Sequence, residues 1–268
     1  MNYPAYWMCV PQPYEGFARS YTGSGRKFVR GAAIRAERCF KMNVTRRNFL
    51  NLAGAYSFSS ALPTRLKPSG KRTNVVVIMA DDHGAWATQP YGCSDIHTPH
   101  LSALAEGGAR FDRSLVCTPV CSPSRLTYLT SLLPSRHGVQ DWLLPEDCAG
   151  PGARDFLQDH LTYTEVLAQN GYTLGMCGKW HMGKDAEAQG GFSHWVTVPG
   201  GGGTYKDPVF VHNGVQAPVQ GFREDAIGDF ALEFLDAQQN TQTPFYLAVN
   251  FYAPHTPYSY QPEEYRRP

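Results

Sequence analysis

The sequence predicts an α/β fold with a mostly parallel central sheet flanked by helices, and three observations predict it. Two apolar stretches, NVVVIMA (74–80) and PFYLAVN (244–250), run unbroken, the pattern of strands covered on both faces. Segments with helical spacing of apolar residues lie between them, so strands and helices alternate along the chain. A chain of 268 residues, 42% of them hydrophobic, is also long enough to bury one sizeable core.

In chain order, the first 72 residues stand apart. They hold 13 Lys plus Arg and 2 Asp plus Glu, against 11 and 21 in the remainder. The acidic remainder argues against a nucleic-acid binder. Residues 1–41 show neither helical nor strand periodicity and are expected to be a mis-assigned start or disordered. Residues 42–63 (MNVTRRNFLNLAGAYSFSSALP) place Arg46 and Arg47 before a short, weakly apolar run with small residues near its end. That is the layout of a signal peptide, and the arginine pair followed by Phe49 and Leu50 resembles a twin-arginine export signal. The run is too short and polar for a transmembrane span. The expected partner is therefore the twin-arginine export machinery, and the expected location periplasmic or secreted, where disulfides are permitted. Cys93, Cys117, Cys121, Cys148 and Cys177 follow, an odd number that leaves at least one unpaired.

In the body, 74–80 is the first strand and ends in Asp81-Asp82-His83-Gly84. Residues 98–108 form a helix with Thr98 as cap and Pro99 in the first turn. Pro123 suits the first turn of another helix, with Cys121 or Ser122 at the cap, running through Leu132 to end near Pro134. Residues 162–172 are a helix stopped by Gly171. Residues 172–183 give a short strand running into a loop, and Gly200–Gly203 is expected to be a flexible loop. VFVHNGVQ (209–216) is a hairpin on an Asn-Gly turn. Helix 223–238 puts Ile227, Phe230, Ala231, Phe234 and Leu235 on one face, and the strand from 244 leads into a proline-punctuated loop.

Polar clusters fall where strands end, the usual ligand side of an open α/β sheet. Asp81 and Asp82 are adjacent carboxylates that suit a hard divalent cation, Ca²⁺ or Mg²⁺, or a solvated turn. Lys179 and His181 share one side of an extended segment, or line a surface loop around a buried Trp180. His255 sits between prolines and is catalytic or structural. Cys121 opens a helix whose free N–H groups favour an anion and would lower a thiol pKa. Arg125 lies four residues on, along the same face; the plain alternative is a buried structural cysteine.

Together these residues carry a resemblance. Cys121-Ser122-Pro123-Ser124-Arg125 is similar to the Cys-x-Pro-Ser-Arg signature of type I sulfatases, of the alkaline-phosphatase-like superfamily. NVVVIMADDHG resembles that family's metal-binding first strand, GKWHMG its Lys-x-His loop and APHTPY its later histidine loop; TPHLSALAEGGARF and RHGV also look like family sequence. The resemblance runs from about Lys71 to the end of the chain. It implies conversion of Cys121 to formylglycine by a formylglycine-generating enzyme, and Ca²⁺, with Mg²⁺ as the alternative, held by Asp81, Asp82 and the modified Cys121. One hydroxyl of the hydrated aldehyde would attack sulfur and the other eject sulfate. Arg125 would steady the attacking hydroxyl, Lys179 neutralise sulfate, His181 act as base and His255 as acid. The substrate would be a sulfated small molecule or carbohydrate. Two departures stand out. Ser131 replaces the usual glycine, with a small packing penalty expected. No Asp-Asn pair follows His255, so the resemblance implies an N-terminal portion, incomplete at the C-terminus and expected to be inactive as it stands. The alternatives are a phosphonate monoester or phosphodiester hydrolase of the same superfamily, and a non-catalytic fragment.

Overall fold

The computed structural model describes residues 72–258 and 260–266. The expectations for 1–41 and for the export signal at 42–63 lie outside the described residues. Six strands form one sheet in the order β1 (Val75–Met79), β6 (Phe245–Asn250), β2 (Thr173–Gly178), β3 (His194–Thr197), β4 (Val209–His212) and β5 (Val215–Pro218). The first four run parallel, with Val77 opposite Ala248 and Met176 opposite Ala248 on its other side. The β4–β5 hairpin adds antiparallel strands at one edge. The helices are α1 (Pro99–Gly107), α2 (Cys121–Thr130), α3 (Pro134–His137), α4 (Pro145–Cys148), α5 (Tyr163–Gln169) and α6 (Arg223–Gln238). Among the described residues no helix is long and apolar enough to cross a membrane.

Strand β6 shows why its run is unbroken. Tyr246 and Ala248 pack into one core with Leu126, Leu174, Met176, Trp180 and Trp195. Leu247 and Val249 point the other way, into a second core with Val196, Phe210, Ile227 and Phe234. Alternation persists, but both faces are apolar because both are covered. Helix α6 supplies the second cover, burying Ala226, Ile227, Ala231 and Phe234, with Phe230 and Leu235 partly buried beside them. Helix α5 starts on a capping box: Thr162 accepts from the Glu165 N–H, and Glu165 accepts from the Thr162 N–H, so two orphan donors are satisfied. The hairpin turns on Asn213 (φ 48°) and Gly214 (φ 86°), the left-handed pair that matches strand twist.

Several expectations are corrected. Among the described residues β1 is not covered on both faces: it is an edge strand, and Ile78 is 50% exposed. Within Gly200–Gly203 only Gly202 and Gly203 are irregular. Pro199–Gly201 form a 3₁₀ turn in which Gly201 is buried and its N–H donates to Asp185 Oδ2 at 3.0 Å. Helix α2 has Val120 at its cap rather than Cys121 or Ser122, and it stops at Ser131 (φ 59°) rather than near Pro134, which opens α3 instead. The penalty expected at Ser131 is thus backbone strain in the left-handed region, where glycine is at home, rather than packing. All five cysteines of the described region are free. Strand β3 and the single-turn helices α3 and α4 were not anticipated, since four residues are too few to display a period.

Candidate active site

Three strands deliver side chains to one end of the sheet. Asp81 lies two residues past β1, Lys179 one past β2, and the loop carrying His255 follows β6. Gly178 makes the approach of β2 and β6 there feasible. It has φ 109°, and a Cβ would fall 2.1 Å from the Asn250 carbonyl oxygen. The Lys179 N–H donates to that oxygen at 2.8 Å. The Lys179 carbonyl in turn accepts from Arg125 Nη1 at 2.7 Å and Asn250 Nδ2 at 3.1 Å. Helix α2 is thereby tied to β2, which brings Cys121 over the strand ends.

Asp81 is the centre of a buried charge cluster. Its Oδ2 lies 2.5 Å from Lys179 Nζ and 3.6 Å from Arg125 Nη2. Cys121 Sγ donates toward its Oδ1 at 3.5 Å, and Lys179 Nζ is 3.5 Å from the same sulfur. Burial alone would raise the Asp81 pKa, but Arg125 and Lys179 together hold it below the ordinary carboxylate value. The thiol behaves oppositely to the helix-end expectation. Burial, and then the Asp81 carboxylate, push Cys121 above its ordinary value in spite of Lys179 and Arg125. As encoded, Cys121 is a protonated thiol facing a carboxylate, a poor nucleophile.

His255 stands beside this cluster. Its Nδ1 lies 2.5 Å from the Thr256 carbonyl, which can only accept, so Nδ1 carries a proton, and Nε2 lies 3.8 Å from Asp82 Oδ2. Asp82 has φ 59° and a largely exposed carboxylate. Asp81, Cys121 and His255 bring one ligand atom each within 4.8 Å of one another, so oxygen, sulfur and imidazole donors converge, with Asp82 adjoining. This donor set is compatible with a divalent cation, though Lys179 occupies one face of Asp81.

His181 borders this cluster, close enough for Lys179, Arg125 and Asp81 to act on its ring. Its backbone is left-handed (φ 59°), so the segment is not extended there. Nε2 donates to the Leu143 carbonyl at 2.9 Å, and Nδ1 is buried without a hydrogen-bond partner. Burial, reinforced by Lys179, pushes its pKa down to about 4, which keeps the ring neutral. Gly201 packs on that ring: a Cβ there would meet His181 Cδ2 at 2.0 Å. Asp185, fully buried, anchors this turn, and burial raises its pKa to about 7. The sequence offered no signal for Asp185 or Gly201, because an Asp in a mixed charged stretch and one glycine among four look like surface loop.

Comparison with known proteins agrees in one direction. A family model described as Sulfatase matches residues 73–267. An N-acetylglucosamine-6-O-sulfatase of Bacteroides thetaiotaomicron is 32% identical over 191 residues, which cover 70% of this chain and 32% of that protein. A solved structure with bound D-glucosamine-2-N,6-O-disulfate superposes with a TM-score of 0.58 at 32% identity, covering 69% of this chain and 35% of that one. A solved structure from Bacteroides fragilis superposes with a TM-score of 0.63 at 25% identity, covering 75% and 48%. The chain therefore spans between about a third and a half of the length of these relatives.

Proposed function

The chain belongs to the sulfatase family, and from that premise we propose that its site hydrolyses a sulfate ester through a formylglycine made from Cys121. The observation that carries this reading is the position of Cys121: the first residue of α2, with a carboxylate and an ammonium each 3.5 Å from its sulfur. A protonated thiol there is a weak nucleophile, whereas a hydrated aldehyde would supply one hydroxyl to attack sulfur and a second to expel sulfate. Asp81, Asp82 and the converted residue 121 would hold Ca²⁺, or Mg²⁺ in its place, which would polarise a sulfate oxygen. Lys179 and Arg125 supply fixed positive charge for the sulfate oxygens and for the attacking oxygen. His255, as the imidazolium with a proton on Nε2 beside Asp82, would protonate the departing ester oxygen. The neutral His181, with its bare Nδ1, is the proton acceptor for the return of the aldehyde. We take the substrate class to be sulfated carbohydrate, on similarity to the N-acetylglucosamine-6-O-sulfatase and to the structure holding a disulfated glucosamine. Export through the twin-arginine route, to the periplasm or beyond, belongs to the same proposal.

The test is to co-express the chain with a formylglycine-generating enzyme. The Cys121 peptide should lose about 18 Da as thiol becomes aldehyde. The converted chain is then assayed with an aryl sulfate, a glucosamine 6-sulfate and an aryl phosphonate monoester, each with added Ca²⁺. Two carboxylates and the converted residue 121 fall short of the roughly 6 to 8 oxygens that Ca²⁺ takes, so turnover by residues 1–268 should be slow. Preference for the phosphonate would replace the sulfatase reading, and an unmodified Cys121 despite active modifying enzyme would remove its nucleophile.

A further inference from the structure

The loop after β6 contains a residue that neither the motifs nor the mechanism uses. Tyr252 is 7% exposed, and its ring meets three cationic or titratable groups. The Arg223 guanidinium lies 3.7 Å from the ring centroid, Lys179 Nζ 4.8 Å, and the His255 ring 4.5 Å. The tyrosine itself is fixed at both ends. Its N–H donates to Glu224 Oε2 at 3.0 Å and its hydroxyl to the Thr256 carbonyl at 3.1 Å. Tyr205 braces the same loop: its ring lies edge-on to Tyr252, and its hydroxyl donates to the His255 carbonyl at 2.5 Å. Arg223, fully buried, sits against both tyrosines, 4.5 Å from the Tyr205 centroid, and is held by Glu224 and the Gly202 carbonyl.

We infer that Tyr252 is the positioning residue of this site: its ring, locked by Arg223 and Tyr205, aims Lys179 and His255 at the Asp81–Cys121 centre. The physical reason is charge. Lys179 has four rotatable side-chain bonds, and a second carboxylate could fix its ammonium only by cancelling the charge that an anion needs. An aromatic face attracts a cation through its quadrupole and carries no net charge. Tyr252 therefore orders Lys179 while leaving its positive charge for a sulfate oxygen. It also turns the His255 ring through direct contact and through the His255 N–H, which donates to the Tyr252 carbonyl at 3.0 Å.

The inference rests on the anion-binding reading of the site, and the experiment separates the two. Inorganic sulfate is titrated calorimetrically into the 1–268 chain with and without Ca²⁺, for wild type, Tyr252→Phe, Tyr252→Leu and Lys179→Met. Phe keeps the ring and should stay within about threefold of wild type. Leu removes the ring and should weaken sulfate binding about tenfold, the order of a desolvated cation–π contact. A second readout needs no ligand. The side-chain methylene protons of Lys179 should carry an upfield ring-current shift in wild type and Tyr252→Phe, and lose it in Tyr252→Leu. If Leu binds sulfate as wild type does while Lys179→Met does not, the anion site stands and the role of Tyr252 falls. Phe as damaged as Leu would overturn the role too, because the hydroxyl would then be what matters. A wild-type chain that binds no sulfate would sink the anion site and this inference together.

Discussion

At the scale of single residues, Lys179 and Ser131 show opposite kinds of strain. Lys179, Arg125 and Asp81 are each at least nine-tenths buried, so removing one partner leaves a charge in low dielectric. Lys179→Met should destabilise the fold by about 3–5 kcal/mol near pH 6. The sign with pH follows from Asp81, whose folded pKa is depressed by Arg125 and Lys179. Its contribution is complete above the unfolded value of 3.8 and is lost as pH falls through the lower folded value. The deficit of Lys179→Met should therefore shrink between pH 6 and pH 3 in urea titrations; a deficit unchanged at pH 3 would mean that packing, not charge, was lost. Ser131 holds φ 59° at the end of α2 with its N–H donating to the Thr127 carbonyl at 2.8 Å. Ser131→Gly should raise stability by about 0.5–1 kcal/mol, read as a higher denaturant midpoint at constant slope.

At the scale of elements, the turn Pro199–Gly201 links a buried carboxylate to a site histidine. Asp185 accepts from the Gly201 N–H, and Gly201 supports the His181 ring. Because burial raises the folded pKa of Asp185 from 3.8 to about 7, its neutral form is compatible with folding at low pH, and stability is lost as pH rises through that window. Asp185→Asn removes this loss while keeping an oxygen for Gly201. Relative to wild type, the variant should gain stability as pH rises from 4 to 7, by at most about 4 kcal/mol. Unfolding titrations at pH 4, 5.5 and 7 measure the difference, and a difference that does not change with pH would refute the assignment.

At the scale of the whole molecule, the sheet ends on one side in β1, a parallel edge strand with its Ile78 half exposed. An apolar edge that is unpaired among the described residues invites pairing between chains. Ile78→Lys should reduce concentration-dependent light scattering of the 1–268 chain and shift its denaturation midpoint by no more than about 0.5 kcal/mol equivalent. A loss of several kcal/mol would show that Ile78 belongs to a core.

The sequence by itself determined the α/β class, the positions of β6, α5, α6 and the hairpin, and the grouping of Asp81, Cys121, Arg125, Lys179 and His255 as residues worth watching. Each of these is a local signal: an apolar period, a cap, an Asn-Gly turn, or reactive side chains at strand ends and a helix start. Tertiary structure decided the rest. It put β1 at an edge, because strand order is set by long-range pairing that no period encodes. It raised the Cys121 pKa where the helix start alone argued for lowering, because desolvation outweighs a helix end and Asp81 arrives from 40 residues away. It turned His181 toward Leu143 through a left-handed backbone, and it recruited Asp185, Gly201, Arg223, Tyr205 and Tyr252. Those residues are ordinary in composition and become specific only through burial and contact, which are properties of the folded chain.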